Sequence, residues 1–476
     1  MKKYYSIFIL FLLTVSISAH PWKPSHYVII DTDGGIDDMR AISMLLASPD
    51  VRVLAVIASS GALPAENSYL KVRSLLNSYY HEGIPVGISR RGNFRSPELK
   101  TALNTKWGDE SALAPQKAKD ALELINRVFS AEKTKITFIS LGGLTTARAA
   151  VNEIPSFSQQ VKEIVWSADG LSDTKGFNYS IDKKAAAEVL NGSIPVKIIK
   201  PAGDKEFFDK ALVDGISKIN NVYAGKISEL FSSGAAGGHE FVLAATDETV
   251  PLFLHYPMLF NTISSGRNSE SQPGEIHPLR GKTLTILKGE TVERNQVVEE
   301  FPDDPSFYHD DMKDYVSEII RKYGIDEWTS GILANELHRH LGVFAIIGVK
   351  MGIRAREYFD TGVDEFKATS YAGSIPPISC FNDGLQVSTG ATPGHGLLKV
   401  INDVPARPVA EFGYMNRKIR LTLKPEITQK VTSELKEINF IHGLDSDIYW
   451  ELVRKNSIKY WLSLDRHEIF EIEEIE

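Results

Sequence analysis

Val28-Ile-Ile-Asp-Thr-Asp-Gly-Gly-Ile-Asp-Asp-Met-Arg-Ala41 is the stretch that decides the fold of this chain. An apolar run of strand length at 28–30 leads into four aspartates, Asp31, Asp33, Asp37 and Asp38, within eight residues, with Gly34 and Gly35 between the pairs. Ile42, Leu45 and Leu46 then recur at helical spacing, so the stretch reads as strand, turn and helix. An open α/β sheet binds ligands beyond the carboxyl ends of its strands, and anions this close repel one another. The cluster therefore asks for a hard cation, and an all-oxygen ligand set favours calcium or magnesium. Asp37 and Asp38 would also suit the first turn of a helix, facing the positive end of its dipole. One or two aspartates satisfy that need; four exceed it.

Outward from this stretch, apolar segments at 51–58, 85–88, 136–141 and 163–166 alternate with helical patterns at 67–79, 118–129 and onward from 144 and 182. Strands and helices alternating at this pitch build right-handed βαβ units, so the expected fold class is α/β, a mostly parallel sheet with helices on both faces. Near Gly324 the character changes. Residues 26–322 read as the first domain, 325–425 as a smaller α+β domain, and 426–476 as a helical extension containing Trp450, Trp461 and an acidic end. That extension packs across the two domains or between copies of the chain, which leaves a homo-oligomer open.

Composition narrows the partners. The 476 residues, 43% hydrophobic and 24% charged, suit two or three ordinary globular domains. A formal charge of -8 argues against a nucleic-acid partner, which needs clustered Lys and Arg against phosphate. Lys2 and Lys3, an apolar core at 7–15, and small Ser16, Ser18 and Ala19 follow the export pattern. Residues 1–19 are therefore expected to be a cleaved signal peptide, with the protein periplasmic or extracellular. The apolar core is shorter than the ~20 residues a bilayer span needs, so no membrane attachment is expected after cleavage. Cys380 is the single cysteine, so no internal disulfide forms and stability must come from the core.

Asp31-Thr-Asp-Gly-Gly-Ile-Asp-Asp38 resembles the N-terminal signature of the calcium-dependent inosine/uridine-preferring nucleoside hydrolases, Asp-x-Asp-Pro-Gly-x-Asp-Asp, with Gly34 where proline is usual. The resemblance extends through Leu141-Gly-Gly-Leu-Thr-Thr146, Phe177-Asn178 with Asp182 beyond it, and Thr246-Asp-Glu-Thr-Val-Pro-Leu-Phe-Leu254. It implies a calcium held by Asp33, Asp38, Asp247 and the Leu141 carbonyl, with Asp33 also taking the proton from the attacking water. Asp37 and Asn178 would contact the sugar, and Asp31 would order the loop through hydrogen bonds. On the residues alone, Asn178 reads equally as a buried or capping side chain, and Asp247 as a helix cap. The chain departs from the family pattern at Ala62 and Gly176, where sugar-contacting Asn and Glu are usual, and at Thr246, where purine-active members carry a histidine acid. His239, in the Gly- and Ala-rich stretch 234–239, is an alternative proton donor.

In the second domain, His338 and His340 alternate along the chain, Cys380-Phe-Asn-Asp-Gly-Leu-Gln386 follows, and then Thr389-Gly-Ala-Thr-Pro-Gly-His-Gly396. Two imidazoles and a thiolate compose a zinc-like donor set, and two surface histidines are the other reading of the same spacing. The three blocks resemble the family of the E component of formylmethanofuran dehydrogenase. That resemblance implies a transition-metal site, zinc or another such ion, at His338, His340 and Cys380. Gly342 and Ala391 stand where the family has further cysteines, so the site is reduced; an inert, buried Cys380 is the competing reading.

These features lead to an exported hydrolase that cleaves the N-glycosidic bond of a nucleoside or related N-ribosyl compound with calcium-activated water. A non-catalytic protein that binds a nucleoside-like ligand or a metal is the alternative.

Overall fold

In a computed structural model, residues 24–91, 100–170, 176–232, 243–292, 297–298, 300–402 and 404–475 are described. The expected signal peptide and His239 lie outside them. The first domain is built on a nine-stranded sheet ordered β4-β3-β2-β1-β5-β6-β7-β9-β8. In chain order these are β1 (His26–Thr32), β2 (Val51–Ala58), β3 (Val86–Ile88), β4 (Lys119–Asp120), β5 (Ile136–Ser140), β6 (Val161–Ser167), β7 (Val196–Ile199), β8 (Phe260–Ser265) and β9 (Asn268–Pro273). All pairings are parallel except the β8–β9 hairpin. β2 is buried along its whole length, as parallel strands covered on both faces must be. One core lies on each face, one around Val28, Ile30, Met44 and Leu45, the other around Ile29, Ile57, Phe138 and Trp166.

β1 is central. The strands that follow it run outward to β4, after which the chain returns to place β5 on the other side of β1. A crevice opens at such a reversal of strand order. The loops after β1 and β5 both emerge there, which positions the aspartate stretch against Leu141 and Gly142.

The helix expected from 118 starts at Ala121, because Asp120 accepts from the Leu122 and Glu123 amides as its N-cap and itself closes the short β4. The β8–β9 hairpin carries no strong periodicity in sequence; its outer strand is exposed from Asn261 onward.

The second domain holds a five-stranded sheet, β11-β10-β12-β13-β14, built from β10 (Lys367–Ser370), β11 (Leu398–Val400), β12 (Val409–Tyr414), β13 (Arg417–Leu423) and β14 (Phe470–Ile475). The long helix Val343–Phe359 packs against the helix Phe381–Thr389, closely enough that a methyl at Gly384 would meet the Ala345 carbonyl at 1.9 Å. Helices Pro425–His442 and Asp447–Ser463 occupy the C-terminal extension. After them the chain returns as β14, antiparallel to β13, and so completes the sheet. The helix Val316–Tyr323 turns Val316, Ile319 and Tyr323 into a cluster with Trp328, Ile346, Ile458 and Trp461, so its apolar face is buried by second-domain residues. Across the domain boundary Arg52 pairs with Glu365, Arg354 with Glu82 at 2.7 Å, and Tyr80 stacks on His467 at 3.4 Å.

Candidate metal centre

The turn after β1 brings its carboxylates inward. Gly34 adopts φ +84°, its amide donating to Thr32 Oγ1 at 3.2 Å. A proline, the usual residue of the signature, holds φ near about −65° and has no N–H, so this turn follows a path of its own. The glycines around the cluster are fixed by close approach. A methyl at Gly35 would stand 2.5 Å from Asp37 Oδ1 and 2.7 Å from Asp38 Oδ2, and one at Gly61 only 2.0 Å from Asp33 Oδ2.

Oxygens of Asp37, Asp38 and Asp247 converge within 4.8 Å of one another. Asp38 Oδ1 accepts from Thr32 Oγ1 and, at 3.1 Å, from the Asp33 amide. Asp33 lies outside that threefold group; its side chain sits between the backbones of Gly61 and Gly142, and its Oδ2 is buried with no hydrogen-bond partner. Asp31 Oδ1 accepts from Thr146 at 3.3 Å, while Oδ2 is buried and unpartnered. Asp31, Asp33, Asp38 and Asp247 are buried, whereas Asp37 is only half-buried.

Burial dominates the titration of this group. Desolvation raises Asp31 to about 8 and, with the neighbouring Asp37 charge, Asp38 to about 7. Asp33 and Asp247 are pushed well above the usual carboxylate range by desolvation first and by Asp37 and Asp38 next. A divalent cation among these oxygens would reverse that cost and hold them ionised. Orphaned buried oxygens, an all-carboxylate donor set and glycines that leave no room for side chains suit a hard cation such as calcium.

Supporting contacts come from distant parts of the chain. Leu141 donates its amide to the Asp31 carbonyl at 2.8 Å, and its own carbonyl accepts from Asn178 Nδ2 at 2.7 Å. Asn178 also donates to the Ser167 carbonyl at 2.9 Å, leaving its Oδ1 for other partners. Arg40, fully buried, pairs with Glu248 and donates to the Ala244 carbonyl at 3.0 Å. Glu248 in turn accepts from the Thr246 amide at 2.9 Å, which fixes the loop that presents Asp247. Sequence reading missed this anchor; the apolar neighbours of Arg40 in its helix are the one local sign that it is buried.

At the three departures the structure is specific. The Thr246 hydroxyl donates to Asp37 Oδ2 and is committed there. Ala62 is buried and offers no polar side chain. A methyl at Gly176 would lie 2.1 Å from Asp169 Oδ2, so the Asp169 carboxylate fills the space where a side chain at 176 would begin. Asp169 was visible in the sequence as an Asp-Gly pair after a strand, without a role.

In the second domain, His338 Nδ1 and Asp383 Oδ2 are 2.7 Å apart, and Asp383 and then Cys380 raise the imidazole to about 9. His338 Nε2 is buried without a hydrogen-bond partner. The His340 ring lies 4.2 Å from that of His338 and 5.0 Å from Trp450. Cys380 is half-buried and free.

Comparison with known proteins finds two separate regions of likeness. Residues 28–252 match the inosine-uridine preferring nucleoside hydrolase family, and residues 337–470 match the FmdE family of the molybdenum formylmethanofuran dehydrogenase operon. The second match runs past Pro425, so it takes in the two helices of the C-terminal extension. In the nucleoside hydrolase-like region the chain is 27% identical over 185 residues to the pyrimidine-specific ribonucleoside hydrolase RihA of Salmonella enteritidis, covering 36% of this chain and 58% of that protein. It is 29% identical over 182 residues to the uncharacterized protein C1683.06c of Schizosaccharomyces pombe, covering 36% and 59%. The chain thus spans under three fifths of the length of the curated relatives it matches. Among solved structures, the purine-preferring ribonucleoside hydrolase from Gardnerella vaginalis superposes with a TM-score of 0.43 at 16% identity, over 56% of this chain and 99% of that one.

Proposed function

We propose that the first domain hydrolyses the N-glycosidic bond of a nucleoside or related N-ribosyl compound, and that calcium is its cofactor. The observation that carries the reading is the unpartnered, buried Asp33 Oδ2 beside the converging Asp37, Asp38 and Asp247. Such an arrangement is costly without a cation and a reactant to occupy it. Calcium, when bound by Asp33, Asp38, Asp247 and the Leu141 carbonyl, supplies positioning and acidity to a water. Asp33 accepts the proton of the attacking water. Asp37, half-buried and held by Thr246, accepts from a sugar hydroxyl, and Asn178 contacts the sugar through Oδ1. Asp169 supplies the carboxylate that Gly176 lacks. Asp31 holds the β1–β5 junction through Thr146. Release of ribose from a panel of nucleosides, with calcium and with chelator, tests the reading; calcium-dependent release is expected, and its absence across the panel overturns it.

A binding protein without turnover is the second reading, favoured by Ala62 and by the commitment of Thr246 to Asp37. Tight nucleoside binding with no ribose released distinguishes it. Export through the segment at 1–19 belongs to the same proposal. Among the described residues, no helix is long and apolar enough to cross a membrane.

For the second domain we propose a transition-metal site at His338, His340 and Cys380. A carboxylate on Nδ1 sets the imidazole's orientation and leaves Nε2 for a metal, and His338 has both features. Cys380 in native protein is expected to resist thiol reagents until metal is stripped and then to react; reactivity unchanged by chelation excludes the site.

A further inference from the structure

A second cluster lies at the opposite end of the strands from the aspartates. His26 opens β1, Asp50 precedes β2, and the His26 amide donates to the Asp50 carbonyl at 3.1 Å. His255 ends the helix Thr249–His255, the same helix that follows Asp247. His26 Nε2 and His255 Nδ1 each lie 3.9 Å from one oxygen, Asp50 Oδ2. One ligand atom from each of the three residues falls within 4.8 Å of the others.

The spacing is wrong for a plain hydrogen bond. The His338–Asp383 pair of this molecule closes to 2.7 Å, whereas here two imidazoles approach one carboxylate oxygen and neither closes. An ion with bonds of about 2.0–2.2 Å to nitrogen and oxygen would sit between them. Asp50 Oδ1 accepts from the Ser25 amide at 2.8 Å, which orients the carboxylate and turns Oδ2 toward the imidazoles. The His255 side chain is 3% exposed. The ring nitrogens that face Asp50 Oδ2 are His26 Nε2 and His255 Nδ1; the opposite nitrogens, His26 Nδ1 and His255 Nε2, are buried without a hydrogen-bond partner and would not be reached by the ion. Burial lowers both imidazoles, His255 to about 4, so each is neutral and able to ligate near neutral pH. His26 and Asp50, at 20% and 13% exposure, leave a path from solvent.

We propose that His26, Asp50 and His255 form a binding site for a divalent transition cation of the zinc class, with water completing its coordination. Two imidazoles and one carboxylate form a donor set that such ions take in preference to calcium or magnesium. The ion would clamp β1, the turn into β2 and the helix behind Asp247, tying the back of the sheet to an element of the aspartate site.

The test uses full-length, calcium-loaded protein carrying Cys380→Ala, so that thiolate-dependent zinc is not counted. Equilibrium dialysis against zinc should find one ion per chain, and zinc should raise the melting temperature. Adding His26→Gln, or separately Asp50→Asn, should weaken zinc binding at least about tenfold, the loss that even an outer partner of a ligand causes, with calcium content unchanged. Asp50→Asn retains an oxygen for the Ser25 amide, and His26 is partly exposed, so a folded variant is available. Cobalt substituted for zinc should give d–d bands without a thiolate charge-transfer band. Zinc affinity equal in the Cys380→Ala parent and in either double variant, or no zinc bound by that parent, overturns the proposal.

Discussion

Buried charge occurs in two parts of this molecule under opposite arrangements. In the second domain, Glu327 is fully buried, yet it accepts from Lys350 at 2.6 Å, Arg466 at 2.9 Å and Trp461 at 3.2 Å. Arg466 continues to Glu357 at 2.6 Å, and His467 joins Glu357 at 2.9 Å. Despite its desolvation, Glu357 is held well below the usual carboxylate range by Arg466 and His467. Each charge there has a partner. In the first domain Asp31, Asp33, Asp38 and Asp247 are equally buried, and Asp31 and Asp33 each keep an oxygen with no partner. A network that closes on itself holds the fold; one left open carries the cost of unpaired buried oxygens, which the proposed cation would offset.

Removing one aspartate should therefore abolish binding, whereas removing one member of the closed network should destabilise the fold and leave binding by the folded chain intact. The largest effect expected is for Asp38→Ala, which should strip calcium and lower ribose release by ~10³-fold, equivalent to several kcal/mol of transition-state stabilisation. Metal analysis of purified protein checks it; equal calcium in both proteins breaks the contrast. Next, Glu327→Leu leaves Lys350 buried against no anion and Arg466 with Glu357 alone, and denaturant unfolding should show ~3–5 kcal/mol lost. Calcium per folded chain should stay the same, and adding Lys350→Met should recover much of the loss.

Within the aspartate site, the commitment of Thr246 to Asp37 leaves no acid at that position. General acids contribute ~10²–10⁴-fold, so nitrophenyl riboside should outpace inosine by roughly that range in kcat/KM. Efficient inosine turnover would mean that another group, His239 being the candidate, protonates the base. A smaller effect is expected at the rim: Asp169→Asn should raise KM about tenfold, the scale of one charged hydrogen bond to a sugar hydroxyl, with calcium content unchanged. An unchanged KM would remove Asp169 from the sugar contacts.

The strands and helices of the first domain were legible because each is specified locally, by apolar runs for buried strands and by glycines and aspartates for the turns. The β8–β9 hairpin was not legible, since its exposed outer strand lacks an apolar pattern, and β14 was hidden behind two helices. The aspartate stretch stood out by its density of carboxylates, whereas Leu141, Asn178 and Asp247 were reached only through the family resemblance; the structure brings Asp247 to Asp37 and Asp38. Arg40, Asp169 and His255 were found by neither route, since each acts through a residue far away or through a space that a glycine leaves.

From its sequence alone, this protein's two-part organisation, its parallel sheet and its anionic cluster are determined, because spacing within one short stretch dictates a strand, a turn and the charges at its end. Only the tertiary structure decides that Thr246 binds Asp37 from 209 positions away, that Asp169 fills the place left by Gly176, and that His26, Asp50 and His255 meet. Those contacts depend on where the chain returns after long excursions, and the free energy that selects the return comes from burying whole helices and strands, not from the residues that touch.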